Sequence, residues 1–268
     1  MFRQSDLPLR IPADVEFDGD PAGWLRVIDR DNNNFMRRDV GLGRYAGLAL
    51  ATRLVSLPRR LARKSPDGRS AARPPLQIPW LPLWPGLAAK PLHDRQDYPW
   101  ARILEEASGD IRRELGQVLD MFSQTYYQSK EKGEKSWQTY FFYHRGRANE
   151  EHLAACPRTA AVLAELPHNG FHICFSRLEP GGTLTPHTGP TNASLTAHLG
   201  LVACGNSTLW VGGESASYRD DEVLVFDDSY VHWARNNGAE NRYTLMCTIW
   251  HPDLSASERR FLSWAIRE

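Results

Sequence analysis

Two histidines, His187 and His232, are the side chains whose surroundings point most directly to chemistry. His187 follows the turn-forming residues 179–182, and His232 follows a short apolar segment typical of a strand. Arg242 comes ten positions after His232 and opens another alternating segment. Histidines on separate strands could hold iron(II), and an arginine one strand further could anchor a dicarboxylate cosubstrate. The pattern therefore indicates an iron-dependent oxygenase site.

The third ligand of such a site is usually a carboxylate two positions after the first histidine, and that position is Gly189 here. Because glycine has no side chain to bind a metal, two readings stay open: no iron site, or a variant site with two histidine ligands. Asp227 and Asp228 are expected to fix the turn before His232 by bonding backbone amides. We expect His251, after the last strand, to pack or hydrogen-bond rather than bind metal.

A series of ordered motifs resembles the aspartyl/asparaginyl β-hydroxylases, a branch of the 2-oxoglutarate-dependent oxygenases. The resemblance covers about residue 83 to the C-terminus, and a glycine after the first histidine ligand is characteristic of this family. The motifs are Phe175-Ser176, Pro180-Gly181, His187-Thr188-Gly189-Pro190-Thr191-Asn192, His198-Leu199-Gly200-Leu201, Val225-Phe226-Asp227-Asp228-Ser229, His232, Arg242 and Trp250-His251-Pro252.

The resemblance implies iron(II) bound by His187 and His232, with 2-oxoglutarate and O2 as cosubstrates. It implies that Arg242 pairs with the distal carboxylate of 2-oxoglutarate, since a guanidinium matches a carboxylate through two hydrogen bonds. Ser176 is then expected to assist at this end, and His198 is expected to lie near the other carboxylate.

Two positions depart from well-known members of the family, which carry arginines where this chain has Ser194 and Thr196. Those arginines help to hold carboxylates of the substrate and of 2-oxoglutarate. Thr196 can still donate one hydrogen bond and is assigned to the cosubstrate. Ser194 and Trp137 are assigned to the substrate, and the missing charge at position 194 argues against an aspartyl substrate.

Hydrophobic periodicity predicts a mainly β fold with flanking helices. Apolar and polar residues alternate in segments 171–176, 195–201 and 242–249, between turns rich in glycine, proline and asparagine. A strand is predicted over 137–143, a helix over 99–122 with Asp97 as N-cap, and a helix over 156–166. The pattern agrees with the double-stranded β-helix of the resembling family, a jelly roll related to cupins.

The chain is predicted to have two parts, a basic and partly helical N-terminal extension (1–73) and the oxygenase domain (74–268). Segment 37–73 holds ten basic and two acidic residues, with a helix expected over about 45–57. This segment could pack on its own domain, or it could contact a membrane surface or partner. The proline-rich segment 65–91 is expected to be a connector held along the domain surface by Trp80 and Trp84.

Composition narrows the class of protein. Formal net charge is zero, so nothing attracts the chain generally to nucleic acid. Four scattered cysteines without a C-x-x-C pair are expected to be buried free thiols. Without an apolar signal segment or transmembrane stretch, we expect a cytoplasmic protein, with peripheral membrane attachment through 37–73 as an alternative.

These observations favour a dioxygenase that hydroxylates an unactivated C–H bond of an amino-acid-like substrate, either free, peptidyl or carrier-bound. One alternative is hydroxylation of a lipid acyl chain at a membrane surface, with segment 37–73 facing the membrane. A second alternative is a cupin-like binding protein without catalysis. The joint presence of His187, His232, Ser176, His198 and Arg242 argues against the second alternative.

Overall fold

The computed structural model describes residues 76–79, 81, 83–124 and 137–267. Two antiparallel sheets form the centre of these residues, and helices cover the outer face of the larger sheet. This is a double-stranded β-helix with flanking helices, so the predicted fold class is confirmed. The extension 1–73, its expected helix over 45–57 and Trp80 lie outside the described residues.

The larger sheet has eight strands. They are β1 (Leu92–His93), β2 (Ser123–Gln124), β3 (Trp137–His144), β4 (Arg147–Ala148), β5 (His168–Leu178), β7 (Ser194–Val202), β10 (Val223–Phe226) and β12 (Arg242–Trp250). Their order is β1-β10-β7-β12-β5-β3-β2, and β4 pairs with β3. The smaller sheet contains β6 (Thr183–His187), β8 (Ser207–Val211), β9 (Glu214–Ser217) and β11 (His232–Asn236), in the order β6-β11-β8-β9.

The helices differ from the prediction at one place. They are α1 (Pro99–Glu106), α2 (Ser108–Gln117), α3 (Glu150–Ala155), α4 (Pro157–Glu165) and α5 (Ala256–Arg267). The single helix expected over 99–122 is therefore wrong, because Ala107 ends one helix and Ser108 begins the next before a 3-10 turn over Leu119–Met121. Ser108 and Gly109 are weak helix formers, which is consistent with a break here.

The predicted N-cap of this region is also wrong. Asp97 ends a short 3-10 turn, and Tyr98 occupies the N-cap position of α1 without a side-chain cap. Pro99 stands at the first helical position, where its missing N–H costs nothing. The carboxylate that does cap a turn here belongs to Asp94, which accepts the Gln96 amide.

Alternation along β7 separates the core from the site. Leu195, Ala197 and Leu199 are fully buried in the cluster that includes Leu104 of α1 and Ile111 of α2. Successive side chains of a strand point to opposite faces. The residues between them, Ser194, Thr196 and His198, therefore face away from the helices, toward the smaller sheet.

Several residues in the described part of the proline-rich connector are built into the domain instead of lying along its surface, while residues 65–75, 80 and 82 lie outside the described residues. Leu76, Gln77 and Trp84 are all buried. The Trp84 indole donates to Glu258 of α5 at 3.1 Å, and its backbone exchanges two hydrogen bonds with the side chain of Asn192. The connector thus reaches the segment that follows His187.

The four cysteines are buried free thiols, as expected (Cys156, Cys174, Cys204 and Cys247). Burial raises the pKa of each thiol, so all four are protonated at neutral pH. Within the described ranges, no helix combines the length and apolarity needed to cross a membrane.

Candidate active site

His187 and His232 form a cross-strand pair. They are direct partners in the antiparallel ladder between β6 and β11. Their ring centroids are 4.1 Å apart, and the rings are inclined by 53°. His232 is buried and His187 is half-buried. The two residues that the sequence singled out on separate strands therefore meet at one place.

Hydrogen bonds set the same tautomer on both rings. His187 Nδ1 lies 2.7 Å from the Thr185 carbonyl oxygen, and His232 Nδ1 lies 2.9 Å from the Tyr230 carbonyl oxygen. Because a carbonyl can only accept, each Nδ1 must carry a proton, and in the neutral ring Nε2 then carries the lone pair. Burial and the neighbouring His187 lower the pKa of His232 well below its usual range, which keeps this ring neutral. Two imidazoles whose Nδ1 atoms are held by backbone carbonyls can each offer Nε2 to a divalent metal.

Gly189 leaves room for the carboxylate of Asp228. A Cβ added at Gly189 would lie only 2.3 Å from Asp228 Cγ. The Gly189 amide also donates to the Asp228 carbonyl at 2.6 Å. A side chain at position 189, including the usual carboxylate ligand, therefore cannot coexist with Asp228 in its present position.

The expectation for the two aspartates is half confirmed. Asp227 accepts the Ser229 amide at 2.9 Å and the Gln77 side-chain amide at 3.1 Å, so it fixes the turn before His232. Asp228 does not share this role. Its Oδ2 accepts the Thr196 hydroxyl at 3.0 Å, and its buried Oδ1 has no partner among the described residues. Burial and the charge of Asp227 raise the pKa of Asp228 to about 7.

We expect Gly189→Ala to lower the free energy of unfolding by about 1–3 kcal/mol, the usual cost of forcing extra volume into a packed site. The Asp228 carboxylate must move, which breaks its hydrogen bond with Thr196. Gly116→Ala is the matched control, because a Cβ there meets nothing within 4 Å. Urea denaturation of both variants tests this, and equal stability of Gly189→Ala and wild type would contradict the crowding.

Arg242 is a fully buried cation that lacks an anion. It is 0% exposed, and none of its three guanidinium nitrogens makes a hydrogen bond of full geometry among the described residues, the Tyr218 hydroxyl giving only a weak interaction. The guanidinium carbon lies 4.8 Å from the centroid of the Tyr218 ring. A buried charge without a partner is costly. A buried cation of this kind is suited to an anionic ligand.

Hydroxyl groups line the strands beside Arg242. Thr139, Ser176 and Thr244 are neighbours across β3, β5 and β12. The Thr139 and Thr244 hydroxyls are buried without a partner in the described part of the chain. The Trp137 indole donates to Ser176 Oγ at 2.9 Å. Trp137 thus lies on the arginine side of the site, close to Ser176. Thr244 was missed, although its place two residues after Arg242 puts it on the same strand face.

His198 is neutral and presents one unpartnered nitrogen. Its Nδ1 lies 2.9 Å from the Tyr218 hydroxyl, while its buried Nε2 has no partner within the described ranges. Burial, followed by the charges of Arg242 and His187, lowers the pKa of His198 to about 3. Tyr218 has no sequence motif around it and was missed.

Ser194 and Thr196 are both engaged in hydrogen bonds within the site. Ser194 Oγ accepts the Asn169 side-chain amide at 2.7 Å, and the Thr248 hydroxyl donates to Asn169 Oδ1 at 2.6 Å. Thr196 gives its proton to Asp228. We therefore propose that Thr196 acts on the site through this carboxylate, in place of the direct cosubstrate contact expected from the sequence.

The connector hydrogen-bonds to the loop that follows His187 and to the loop that precedes His232. The Val231 amide donates to Leu76 O at 2.8 Å, and the Ile78 amide donates to Ser229 O at 3.0 Å. On the other loop, the Thr188 hydroxyl donates to Ile78 O at 3.2 Å. The segment around Ile78 therefore fixes the loop after His187 relative to the loop before His232.

His251 lies apart from this group, as expected. It is fully buried, its Nε2 lies 3.2 Å from the Ala88 carbonyl, and its Nδ1 accepts the Asp253 amide at 3.2 Å. It packs and hydrogen-bonds at the end of β12.

The residues present fit iron and a dicarboxylate. No cluster of three or more His, Cys, Asp or Glu side chains in the described ranges could hold a metal, so the histidine pair could supply only two ligands. Arg242 and His198 offer buried, unpartnered nitrogens to an anion. This donor set agrees with one of the two readings that Gly189 left open, a variant site with two histidine ligands, and it suits iron(II) together with 2-oxoglutarate.

Comparison with known proteins gives a family. Residues 105–252 match the family model described as Aspartyl/Asparaginyl beta-hydroxylase. This range contains both histidines, Arg242 and every other site residue that the sequence singled out.

Individual relatives agree with that match. "Aspartate beta-hydroxylase domain-containing protein 2" of Xenopus tropicalis is 33% identical over 207 residues, covering 71% of this chain and 55% of the relative. Human "Aspartyl/asparaginyl beta-hydroxylase" is 33% identical over 138 residues, covering 50% of this chain and 18% of that protein. "Ornithine lipid ester-linked acyl 2-hydroxylase" of Rhizobium tropici is 31% identical over 190 residues, covering 67% of this chain and 66% of that enzyme. The chain thus spans about half the length of the Xenopus relative.

Among solved structures, the chain is similar to a Pseudomonas putida prolyl-4-hydroxylase. The TM-score is 0.34 at 15% identity, with 56% of this chain and 87% of that chain covered. The strand order and core described above, and not this likeness, define the fold.

Proposed function

Because this chain belongs to the aspartyl/asparaginyl β-hydroxylase family, we propose that it is an iron(II)- and 2-oxoglutarate-dependent dioxygenase that hydroxylates an unactivated C–H bond. Family membership supports a hydroxylase activity. The dependence on iron and 2-oxoglutarate is supported above all by Arg242, a fully buried guanidinium without a partner in the described ranges. It lies close enough to His198 to lower the pKa of that ring, and His198 is also influenced by His187 of the histidine pair.

Different side chains would bind the iron and the two ends of 2-oxoglutarate. His187 and His232 would hold iron(II) through Nε2, since both Nδ1 atoms donate to backbone carbonyls. Arg242 would pair with the distal carboxylate of 2-oxoglutarate, with the hydroxyls of Ser176 and Thr244 beside it. His198 would contact the other end of the molecule through Nε2. When bound, iron and 2-oxoglutarate supply the oxidising chemistry, with O2 consumed and succinate and carbon dioxide released.

Burial of the side chains that would hold 2-oxoglutarate and iron also favours the reaction, because it excludes water. Ser176, His198, His232 and Arg242 are all buried, so bound 2-oxoglutarate would be largely shielded from water. Electrostatic interactions are stronger when water is excluded, and side reactions are suppressed. The chain's part is therefore to bind, orient and desolvate the reactants.

Succinate release is the direct test. Protein incubated with iron(II) and 2-oxoglutarate should release succinate slowly alone and faster with the correct substrate. Under anaerobic conditions, the same mixture should show the visible absorption band of an iron–2-oxoglutarate complex. Absence of both 2-oxoglutarate binding and succinate release would contradict the proposal and favour a binding protein without catalysis.

We propose an amino-acid-like substrate, either free, peptidyl or carrier-bound. The carbonyls and amides of such a unit can pair with neutral hydrogen-bonding groups such as Ser194 and Asn169. An aspartyl carboxylate is a poor fit beside them, because Ser194 and Thr196 carry no charge. A substrate screen should therefore contain uncharged and amide side chains alongside aspartate.

A second candidate, hydroxylation of a lipid acyl chain, is favoured by one group of rings. Phe141, His144 and His172 contact one another, with centroid distances of 4.8, 5.8 and 5.2 Å. Strand pairing puts Phe141 and His172 on the same face of the sheet as Ser176, further from Arg242. Burial lowers the pKa of His172 to about 3 and also lowers that of His144. These rings are uncharged at neutral pH and could pack against a hydrocarbon. The Rhizobium tropici relative is an acyl hydroxylase by name.

Vesicle binding distinguishes the two candidates. If segment 37–73 serves at a membrane, its ten basic residues should bind anionic vesicles, at about 1 kcal/mol per group near the surface. Added salt should release the protein from the vesicles, because the electrostatic attraction fades within about 8–10 Å at physiological ionic strength. We expect weak binding, since the connector after this segment is anchored in the domain through Trp84.

Co-sedimentation of the full chain with anionic vesicles, at low and at high salt, measures this. Neutral vesicles provide the control for binding without charge. Strong and salt-sensitive binding that disappears when residues 1–73 are deleted would contradict our expectation. Acyl chains would then become the leading substrate class.

A further inference from the structure

Tyr218, in the connection between β9 and β10, contacts both His198 and Arg242. The residue is 1% exposed. Its hydroxyl lies 2.9 Å from His198 Nδ1, and its ring centroid lies 4.8 Å from the Arg242 guanidinium carbon. One side chain therefore joins the two groups that would hold opposite ends of a dicarboxylate.

The backbone holds Tyr218 in this place. Its amide donates to the Ser207 carbonyl at 3.0 Å. The next residue, Arg219, passes so close to β7 that a Cβ at Gly200 would lie 2.0 Å from the Arg219 carbonyl oxygen. The Gly200 backbone also exchanges hydrogen bonds with Asp221 and Glu222. Because Gly200 has no side chain, the β9–β10 connection can pack closely against β7. This close packing places the Tyr218 ring between His198 and Arg242.

The direction of the Tyr218–His198 hydrogen bond follows from charge. Burial raises the pKa of Tyr218, so the phenol keeps its proton. His198 is neutral at pH 7, so one of its nitrogens accepts and the other donates. The nearby Arg242 charge repels the phenol proton and favours its donation to His198 Nδ1. The imidazole proton is then on Nε2, the nitrogen without a protein partner in the described ranges.

We propose that Tyr218 is a positioning residue for the cosubstrate: its hydroxyl fixes His198 in the Nε2–H tautomer, and its ring holds the Arg242 guanidinium. The inference rests on the proposed function, because the ligand shared by the two donors is 2-oxoglutarate. With the proton on Nε2, His198 donates to a carboxylate. With the proton on Nδ1, it would present a lone pair to the same anion and repel it. The stacked ring contributes a cation–π contact without neutralising the arginine.

Nitrogen NMR of the metal-free protein tests the first half of the proposal without any ligand. The ¹⁵N shifts of the His198 ring distinguish the two tautomers directly. We expect Nε2–H in the wild type, and a shift toward Nδ1–H or a mixture in Tyr218→Phe. A wild-type ring protonated on Nδ1, or an Nε2–H tautomer that persists unchanged in Tyr218→Phe, would overturn the proposal. The wild-type measurement does not depend on whether the variant folds.

Calorimetry tests the second half. Manganese(II)-loaded protein is titrated with 2-oxoglutarate, so that binding is measured without turnover. Tyr218→Phe should raise the dissociation constant by about five- to tenfold, the usual effect of leaving one buried polar group unpaired. Tyr218→Leu should raise it further, because the contact with Arg242 is also lost. In a His198→Ala background, Tyr218→Phe should have little additional effect, whereas a full, additive effect would overturn the coupling.

Tyr98→Phe is the matched control. The Tyr98 hydroxyl lies 2.6 Å from His93 Nδ1, so this variant also removes a phenol–imidazole hydrogen bond, outside the site. It should lower stability and leave the 2-oxoglutarate constant unchanged. A purely structural role for Tyr218 predicts the same outcome for both variants. If wild-type protein did not bind 2-oxoglutarate, the proposed function would fail, and the histidine shifts would still decide whether Tyr218 sets the tautomer.

Discussion

Replacing either His187 or His232 with alanine is expected to lower turnover at limiting iron(II) by at least about a hundredfold, through loss of metal affinity. Changes next to a metal site already cost about 10- to 100-fold in affinity or activity, and removal of a ligand should cost more. The structure adds a reason, because the described residues offer no third protein ligand to compensate. Calorimetry with manganese(II), followed by succinate release as a function of iron concentration, measures both quantities.

Two controls separate metal binding from folding. His251→Gln removes a fully buried histidine that also lies close to a strand end, and it should retain metal affinity. Asp227→Asn should also retain it and should lose about 1–3 kcal/mol of stability, because Asp227 accepts from both Ser229 and Gln77. The assignment would be wrong if His251→Gln lost the metal while His232→Ala kept it.

The motif residues could be placed from the sequence because strand alternation decides which side of a sheet a residue faces. His198 and Arg242 lie on the inner face, since the next residues along their strands, Leu199 and Tyr243, pack in or against the core cluster. The pairing of His187 with His232 could not be read in this way, because it depends on the register between β6 and β11. The motif resemblance, and not strand alternation, indicated that His187 and His232 belong to one site.

The sequence around Asp228 and Tyr218 did not indicate their place in the site, because both positions depend on how loops pack. Asp228 looked like a turn residue, and its sequence neighbours do not indicate that its carboxylate fills the space beside Gly189. Tyr218 lies in an irregular connection, so no periodicity assigns it to a face. Its position depends on the close approach of Arg219 to Gly200, a contact between segments that are distant in the sequence.

Local conformation also limited the helix prediction. Apolar residues recur at helical spacing through Ala107, because α1 and α2 both pack on the same core. Periodicity reports burial, and burial is preserved when one helix ends and the next begins. Ser108 and Gly109 carried the signal for the break, through their weak helix propensity.

Arg242→Met is expected to raise the dissociation constant for 2-oxoglutarate by at least about tenfold, while the ligand-free protein loses no stability. Truncating one partner of a buried charge pair costs about 2–5 kcal/mol, and each 1.4 kcal/mol is about a factor of ten. In the ligand-free protein, however, Arg242 is a buried charge without a partner among the described residues. Its replacement by an apolar side chain of similar length removes that cost. Calorimetry with manganese(II)-loaded protein measures the first quantity, and urea denaturation measures the second.

The opposite signs of these two effects distinguish an anchor from a structural arginine. A structural arginine would lose stability on replacement, and ligand binding would weaken only as a consequence. Arg177→Met provides the comparison. Arg177 directly follows Ser176 on β5, so its side chain points to the other face of the sheet, where its guanidinium lies 5.3 Å from the Phe122 ring. This variant should leave the 2-oxoglutarate constant unchanged. An unchanged constant in Arg242→Met, combined with a rise in Arg177→Met, would move the anchor to Arg177 and would contradict the direction in which β5 presents its side chains.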